Sequence, residues 1–190
     1  RNISAYADPV EAFASESFRE ISHKYVKAYM NKEIVSMQKI TSFTIDHIKL
    51  QPGVYVSRKD VVGDSIVTTF DIRVTKPYGE PVLQTAEIHT IEHLFATYAR
   101  NTEFSDSVIY VGPMGCRTGF YFLTRSLPNG VALKTVRDAF AFVAEFDGVI
   151  PGSSEIECGN FLEHDLDGAK KAVLPFLEAT KNWTEKNMAY

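Results

Sequence analysis

Two of the five histidines in this 190-residue chain, His89 and His93, bracket Glu92 within the stretch TAEIHTIEHLFATYARN, Thr85 to Asn101. Residues four apart stack on one face of an α-helix, so two imidazoles at this spacing are able to share one metal ion. Glu92 projects to the same side, in reach of a metal-bound water or a substrate as a general base, which is the logic of an H-x-x-E-H pattern. Arg100, seven residues past His93, continues that face. The same letters would also serve an amphipathic helix with a merely polar surface, but two histidines bracketing a glutamate at these offsets point to a metal site. A catalytic centre of this type takes three protein ligands and keeps one open position, so a third ligand must come from elsewhere in the chain.

The second reactive residue type is cysteine, at Cys116 and Cys158. GPMGCRTGF places Cys116 among Gly112, Gly115 and Gly119, where the backbone turns tightly and N–H groups are able to lower a thiol pKa; a buried structural cysteine is the equal alternative. Cys158 immediately precedes Gly159. In a cytoplasmic enzyme of this size free thiols or thiolate ligands are expected rather than a disulfide.

These groups need elements to hold them. Ile88, Ile91, Phe95 and Tyr98 recur at helical spacing and form the buried stripe behind His89 and His93. Before them, SFTIDHIKL, the Val54 to Ser57 run after Pro52-Gly53, and SIVTTFDIRV are β-branched and aromatic, bounded by turn formers, and predict three strands. On pattern alone Ser42, His47 and Arg73 are solvent-facing positions of those strands. Strands follow at Ser107 to Val111 and Phe120 to Thr124, then a helix over Val131 to Phe146 ended by Gly148. A last helix starts near Asp165 and is interrupted or kinked at Pro175. The order predicts an α+β fold, a largely antiparallel sheet with helices packed on it.

A single domain of 41–190 accounts for these elements, preceded by an N-terminal helical extension over 1–40. Asp8-Pro9 is a helix start, with Val10, Phe13, Ile21, Tyr25 and Tyr29 as an apolar stripe running to about Lys32. The formal net charge of -4 and scattered basic residues disfavour nucleic-acid binding. No apolar run reaches the ~18 residues of a membrane span and no secretory signal pattern opens the chain, so a cytoplasmic protein without membrane attachment is expected. The sequence opens at Arg1 with no initiator methionine, the pattern expected of a fragment.

FTIDHIKL, FDIRV, HTIEHLFATYARN, GPMGCRTGFY and ECGN, in that order between about Ser42 and Lys181, resemble the S-ribosylhomocysteine lyase (LuxS) family. The resemblance implies that His89, His93 and Cys158 ligate a divalent metal, natively Fe²⁺ and replaceable by Zn²⁺ or Co²⁺. It implies that Cys116 and Glu92 are the acid/base pair and that Ser42, Phe43, His47, Arg73 and Arg100 bind substrate. The reaction it implies is cleavage of the thioether of S-ribosylhomocysteine to homocysteine and 4,5-dihydroxy-2,3-pentanedione, the precursor of autoinducer-2, by carbonyl migration and β-elimination. It further implies a homodimer with active sites at the subunit interface, Phe43 reaching the partner's site. One departure is Tyr110, which stands where many members carry an aspartate at the homocysteine end. The opening RNISAYAD separately resembles the end of methylthioadenosine/S-adenosylhomocysteine nucleosidases, with Ala5 in place of the catalytic aspartate, and so implies an inactive nucleosidase remnant.

Two other readings use the same residues differently. An inverzincin-type metallopeptidase would recruit Glu163 as third ligand and leave both cysteines idle. A metal-stabilised binding module would close the site with His89, His93, Cys116 and Cys158 together.

Overall fold

Period-two alternation of large apolar side chains builds the sheet. In the computed structural model, which describes residues 39–77 and 81–190, β1 (Gly53–Val62) and β2 (Ser65–Arg73) form a hairpin closed at Gly63, whose φ of 57° lies in the left-handed region that favours glycine. After a helix, α1 (Thr85–Arg100), come β3 (Val108–Pro113) and β4 (Gly119–Arg125), then α2 (Asn129–Glu145) and α3 (Leu166–Thr180). All strand pairs are antiparallel, in the order β1-β2-β4-β3. This is the α+β architecture that the order of elements predicts, and 41–190 forms one compact unit.

One face of the sheet makes the main core. Phe70 pairs with Phe122 and Ile72 with Phe120 across β2 and β4, all fully buried. Phe95 of α1 meets Phe122 at a ring-centroid distance of 5.4 Å and Phe140 of α2 at 5.5 Å; Phe140 in turn meets Phe176 of α3 at 4.6 Å. This aromatic chain crosses from sheet to all three helices, so the register of α1 is fixed by burial of Ile88, Ile91, Leu94, Phe95 and Ala99. Glu87 adds a cap, its carboxylate accepting the Gln84 N–H at 2.8 Å.

Three expectations are corrected. SFTIDHIKL is not a strand: Thr41–Phe43 is a single 3₁₀ turn and the rest is turns. Asp46 is the cause, because its carboxylate accepts the Ile48 N–H at 3.0 Å and its carbonyl accepts those of Lys49 and Leu50, which offers the backbone a local alternative to a ladder. Arg73 is not solvent-facing but 2% exposed. The last helix is not interrupted at Pro175, one of the two alternatives expected there; Pro175 and Lys171, the residue whose carbonyl loses its N–H partner, both lie on the exposed side. The expected helix over about 9–32 lies outside the described residues.

The opposite face of the sheet is covered over β1 and β2 by the chain after α3. A bulge in β1 leaves Ser57 out of the pairing, and on the outer edge of this strand the Val56 N–H donates to Met188 O at 2.8 Å. Trp183 packs over Gly53, where a Cβ would fall 2.0 Å from the indole. Tyr190 stacks on Tyr55 with centroids 5.0 Å apart. Asp71 and Arg73 are thereby buried on a face that strand periodicity alone would leave wet.

Candidate metal centre and catalytic thiol

On α1 the helical repeat sets His89 and His93 one turn apart, rings 4.6 Å centroid to centroid. The segment between α2 and α3 folds over them. His89 Nδ1 donates to the Glu163 carbonyl and His93 Nδ1 to the Pro151 carbonyl, each at 2.8 Å. A carbonyl only accepts, so both rings carry a proton on Nδ1, which leaves Nε2 as the nitrogen able to bind a metal. Gly152, at φ 74°, supports this turn; a Cβ there would come 3.1 Å from His93 Nδ1.

Cys158 Sγ lies 3.4 Å from His89 Nε2 and receives the Asn160 N–H at 3.4 Å. His164 is the group that sequence reasoning missed. Its ring stacks on His89 at 4.2 Å, and Thr90 Oγ1, whose own proton goes to Ala86 O, accepts from its Nδ1. His164 Nε2 is buried without a hydrogen-bond partner. Burial first, and then the neighbouring imidazoles, hold its pKa below the ordinary value. The available signal was an extra histidine six residues after Cys158 in the same loop. One ligand atom from each of His89, His93, Cys158 and His164 lies within 4.8 Å of the others. Imidazole nitrogens, a thiol sulfur and carbonyl-anchored rings fit a divalent transition metal.

Neither rival donor joins this group. Both Glu163 carboxylate oxygens are engaged, one by the Thr85 hydroxyl at 2.7 Å and the other by the Asn160 amide. Cys116 is exposed and sits instead in the β3–β4 turn, with its sulfur 3.1 Å from Thr118 Oγ1. Arg73 Nη1 donates to Thr118 Oγ1 at 2.7 Å and reaches the Cys116 sulfur at 3.7 Å. Burial opposes ionisation of this thiol, but hydrogen bonds from Thr118 and the Arg73 charge outweigh it and hold the pKa below the ordinary thiol value. The turn is tied to the entry of α1 by the Leu83 N–H donating to Arg117 O at 3.0 Å. Both chemical groups are thus anchored about the first turns of one helix.

The remaining residues are more dispersed. Glu92 is half-buried between His89 and His93, and its carboxylate makes no hydrogen bond among the described residues. Arg100 is exposed and donates to Ile109 O at 3.2 Å, over β3. Ser42 borders a cavity of about 310 Å³ with Ser57, Arg58, Thr69 and Tyr121. His47 bonds its own turn through Ile45 O, and Phe43 is 71% exposed. The Tyr110 phenol lies back over Gly112, where a Cβ would come 2.1 Å from its oxygen.

An antiparallel sheet backed by three helices, carrying a His/His/Cys donor group and a thiol whose pKa is lowered by Thr118 and Arg73, defines an α+β enzyme built for metal-assisted chemistry. Comparison with known proteins makes the assignment particular. The family model described as S-Ribosylhomocysteinase (LuxS) matches residues 40–187. S-ribosylhomocysteine lyases are similar over most of their length: that of Clostridium beijerinckii is 48% identical over 157 residues and that of Desulfotalea psychrophila 50% over 157. The Clostridium acetobutylicum enzyme is 46% identical over 156 residues. Each match covers 81% of this chain and 99% of the relative. The chain belongs to the S-ribosylhomocysteinase (LuxS) family.

Proposed function

We propose that this chain is an S-ribosylhomocysteine lyase, cleaving its substrate to homocysteine and 4,5-dihydroxy-2,3-pentanedione, with 41–190 as the catalytic domain and 1–40 as an extension. The observation that carries the reading is the pairing, at one helix, of the His89/His93/Cys158 donor group with a thiol held by Arg73. The reaction is a redistribution of hydrogen followed by elimination, so it balances without a co-reactant. Moving the carbonyl along the ribose to C3 makes the proton on C4 acidic, and its removal expels homocysteine thiolate from C5.

His89, His93 and Cys158 would hold one divalent metal, natively Fe²⁺ with Zn²⁺ or Co²⁺ able to substitute, a choice suited to imidazole and thiolate donors. When bound, the metal supplies a Lewis acid for the sugar oxygens. Cys116, ionised with help from Thr118 and Arg73, removes and returns a proton at one side of the carbon chain. Glu92, a half-buried carboxylate without a competing partner among the described residues, does so at the other. Ser42, Phe43, His47, Arg73 and Arg100 line the substrate site in this reading.

The strongly exposed Phe43 and Ile48, at 71% and 68%, support a homodimer in which the turn carrying Phe43 meets a second copy at its site. Two free cysteines and the lack of any described helix long and apolar enough to cross a membrane support action in the cytoplasm. The peptidase reading loses its third ligand, because the Glu163 carboxylate is spent on Thr85 and Asn160. Thiol release from S-ribosylhomocysteine, measured beside a panel of peptides, tests the proposal. Homocysteine release with no peptide cleavage is expected, and peptide cleavage without thiol release would refute it.

A further inference from the structure

Asp71 and Arg73 sit two apart on β2 and so point to the same face, opposite the core residues Phe70 and Ile72. Asp71 is 1% exposed and Arg73 2%. Arg73 Nε stands 2.7 Å from Asp71 Oδ1, close enough to pair charge though not aligned as a hydrogen bond, and both of those atoms otherwise lack a partner. Directed bonding falls on Oδ2 alone, which accepts from Arg73 Nη2 at 2.8 Å and from the Tyr190 hydroxyl at 2.7 Å. The remaining guanidinium nitrogen, Nη1, faces Thr118 and Cys116. A continuous path of contacts therefore runs from Tyr190 through Asp71 and Arg73 to the Cys116 thiol.

Tyr190 is well placed for such a role. Although 48% exposed overall, it reaches inward to a carboxylate that is almost fully buried. Its ring stacks on Tyr55, and two residues earlier Met188, 2% exposed, anchors the segment by accepting the Val56 N–H. Burial, the Asp71 charge and the hydrogen bond to Asp71 all oppose its ionisation, so the phenol remains a donor throughout the working pH range.

We propose that Tyr190 is a positioning residue for Cys116: by holding Asp71 Oδ2, it keeps the Asp71–Arg73 pair in the one arrangement that leaves Nη1 for the thiol. This rests on the lyase reading for the use made of Cys116. The sign of the effect follows from the charges. A hydroxyl donating to Asp71 disperses carboxylate charge and frees Arg73 to favour the Cys116 thiolate; without it, Asp71 binds more of the guanidinium and its negative potential at the sulfur grows. The ionisable and polar groups facing this path are Asp71 and Arg73 from β2, Tyr121 from β4, Tyr55 and Ser57 from β1, Thr118 beside Cys116, and Tyr190 itself.

The test compares metal-loaded, full-chain Tyr190→Phe and Tyr190→Ala proteins with the unchanged one. Alkylation of Cys116 by iodoacetamide is followed against pH by mass spectrometry of the Cys116 peptide, with metal content and thiol release measured in parallel. Tyr190→Phe keeps the ring on Tyr55 and loses only the hydroxyl. It is expected to move the Cys116 midpoint upward by about half a pH unit or more and to lower kcat roughly three- to tenfold, with metal content unchanged. An unshifted midpoint in Tyr190→Phe overturns the proposal, and so does a shift confined to Tyr190→Ala, which would assign the effect to packing. Because the thiol titration does not depend on turnover, it decides this proposal even if the unchanged protein fails to cleave S-ribosylhomocysteine.

Discussion

Arg73 Nη1 and Cys116 Sγ lie 3.7 Å apart, with the Thr118 hydroxyl hydrogen-bonded to both. A permanently charged guanidinium at that distance favours a thiolate, and Lys would not replace it, because one ammonium cannot serve Asp71, Thr118 and the sulfur at once. Cys116 is expected to alkylate with a midpoint below the ordinary thiol value of about 8.5, and Arg73→Lys to raise that midpoint. The linked stability has a definite sign. A folded-state pKa below the unfolded one gives a stabilising contribution that is present above the unfolded pKa and is lost as pH falls through the folded value. The measurement is alkylation rate against pH; equal midpoints in the two proteins would contradict this role of Arg73.

His164 offers a fourth donor, yet its Nε2 joins a group in which His89, His93 and Cys158 already suffice for a catalytic site. His164→Ala is expected to retain one metal per chain at saturation while lowering metal affinity about 10- to 100-fold, the range for a supporting partner. Chelator competition reads the affinity. A His164→Ala protein that fails to load at all would instead make His164 an obligatory ligand.

Much of this site was legible in the sequence because helical geometry is rigid. The spacing of His89 and His93, backed by Ile88, Ile91 and Phe95, determined both the helix and the shared face. Asp71 and Tyr190 were not legible. Their burial depends on the segment from Trp183 to Tyr190 crossing the far face of the sheet, a contact between positions 119 residues apart. His164 was hidden for a related reason, since only the fold of the loop after Pro151 brings it against His89. SFTIDHIKL misled because its β-branched composition outweighed one turn-forming residue, Asp46, in a segment where only Leu50 is buried.

The family model matches residues 40–187, and every candidate site residue lies within that span, after the 1–40 extension. Deleting Arg1 to Lys32 is therefore expected to leave thiol release within about threefold, an effect below ~1 kcal/mol in activation free energy. Steady-state kinetics on the folded, metal-loaded deletion protein provide the check; loss of nearly all turnover would place the extension within the site.

The division of labour between the two cysteines is the centre of the account, and metal content with homocysteine release in Cys116→Ala and Cys158→Ala tests it most directly. Cys158 lies among the donors, so Cys158→Ala is expected to lose metal and turnover together, with a lower melting temperature because ligand binding stabilises the native state. Cys116 lies in the β3–β4 turn with Arg73, so Cys116→Ala is expected to keep one metal per chain while turnover falls at least ~10²-fold, the scale of a general acid/base contribution. An active Cys116→Ala protein, or a Cys158→Ala protein that keeps its full metal complement, would contradict the account.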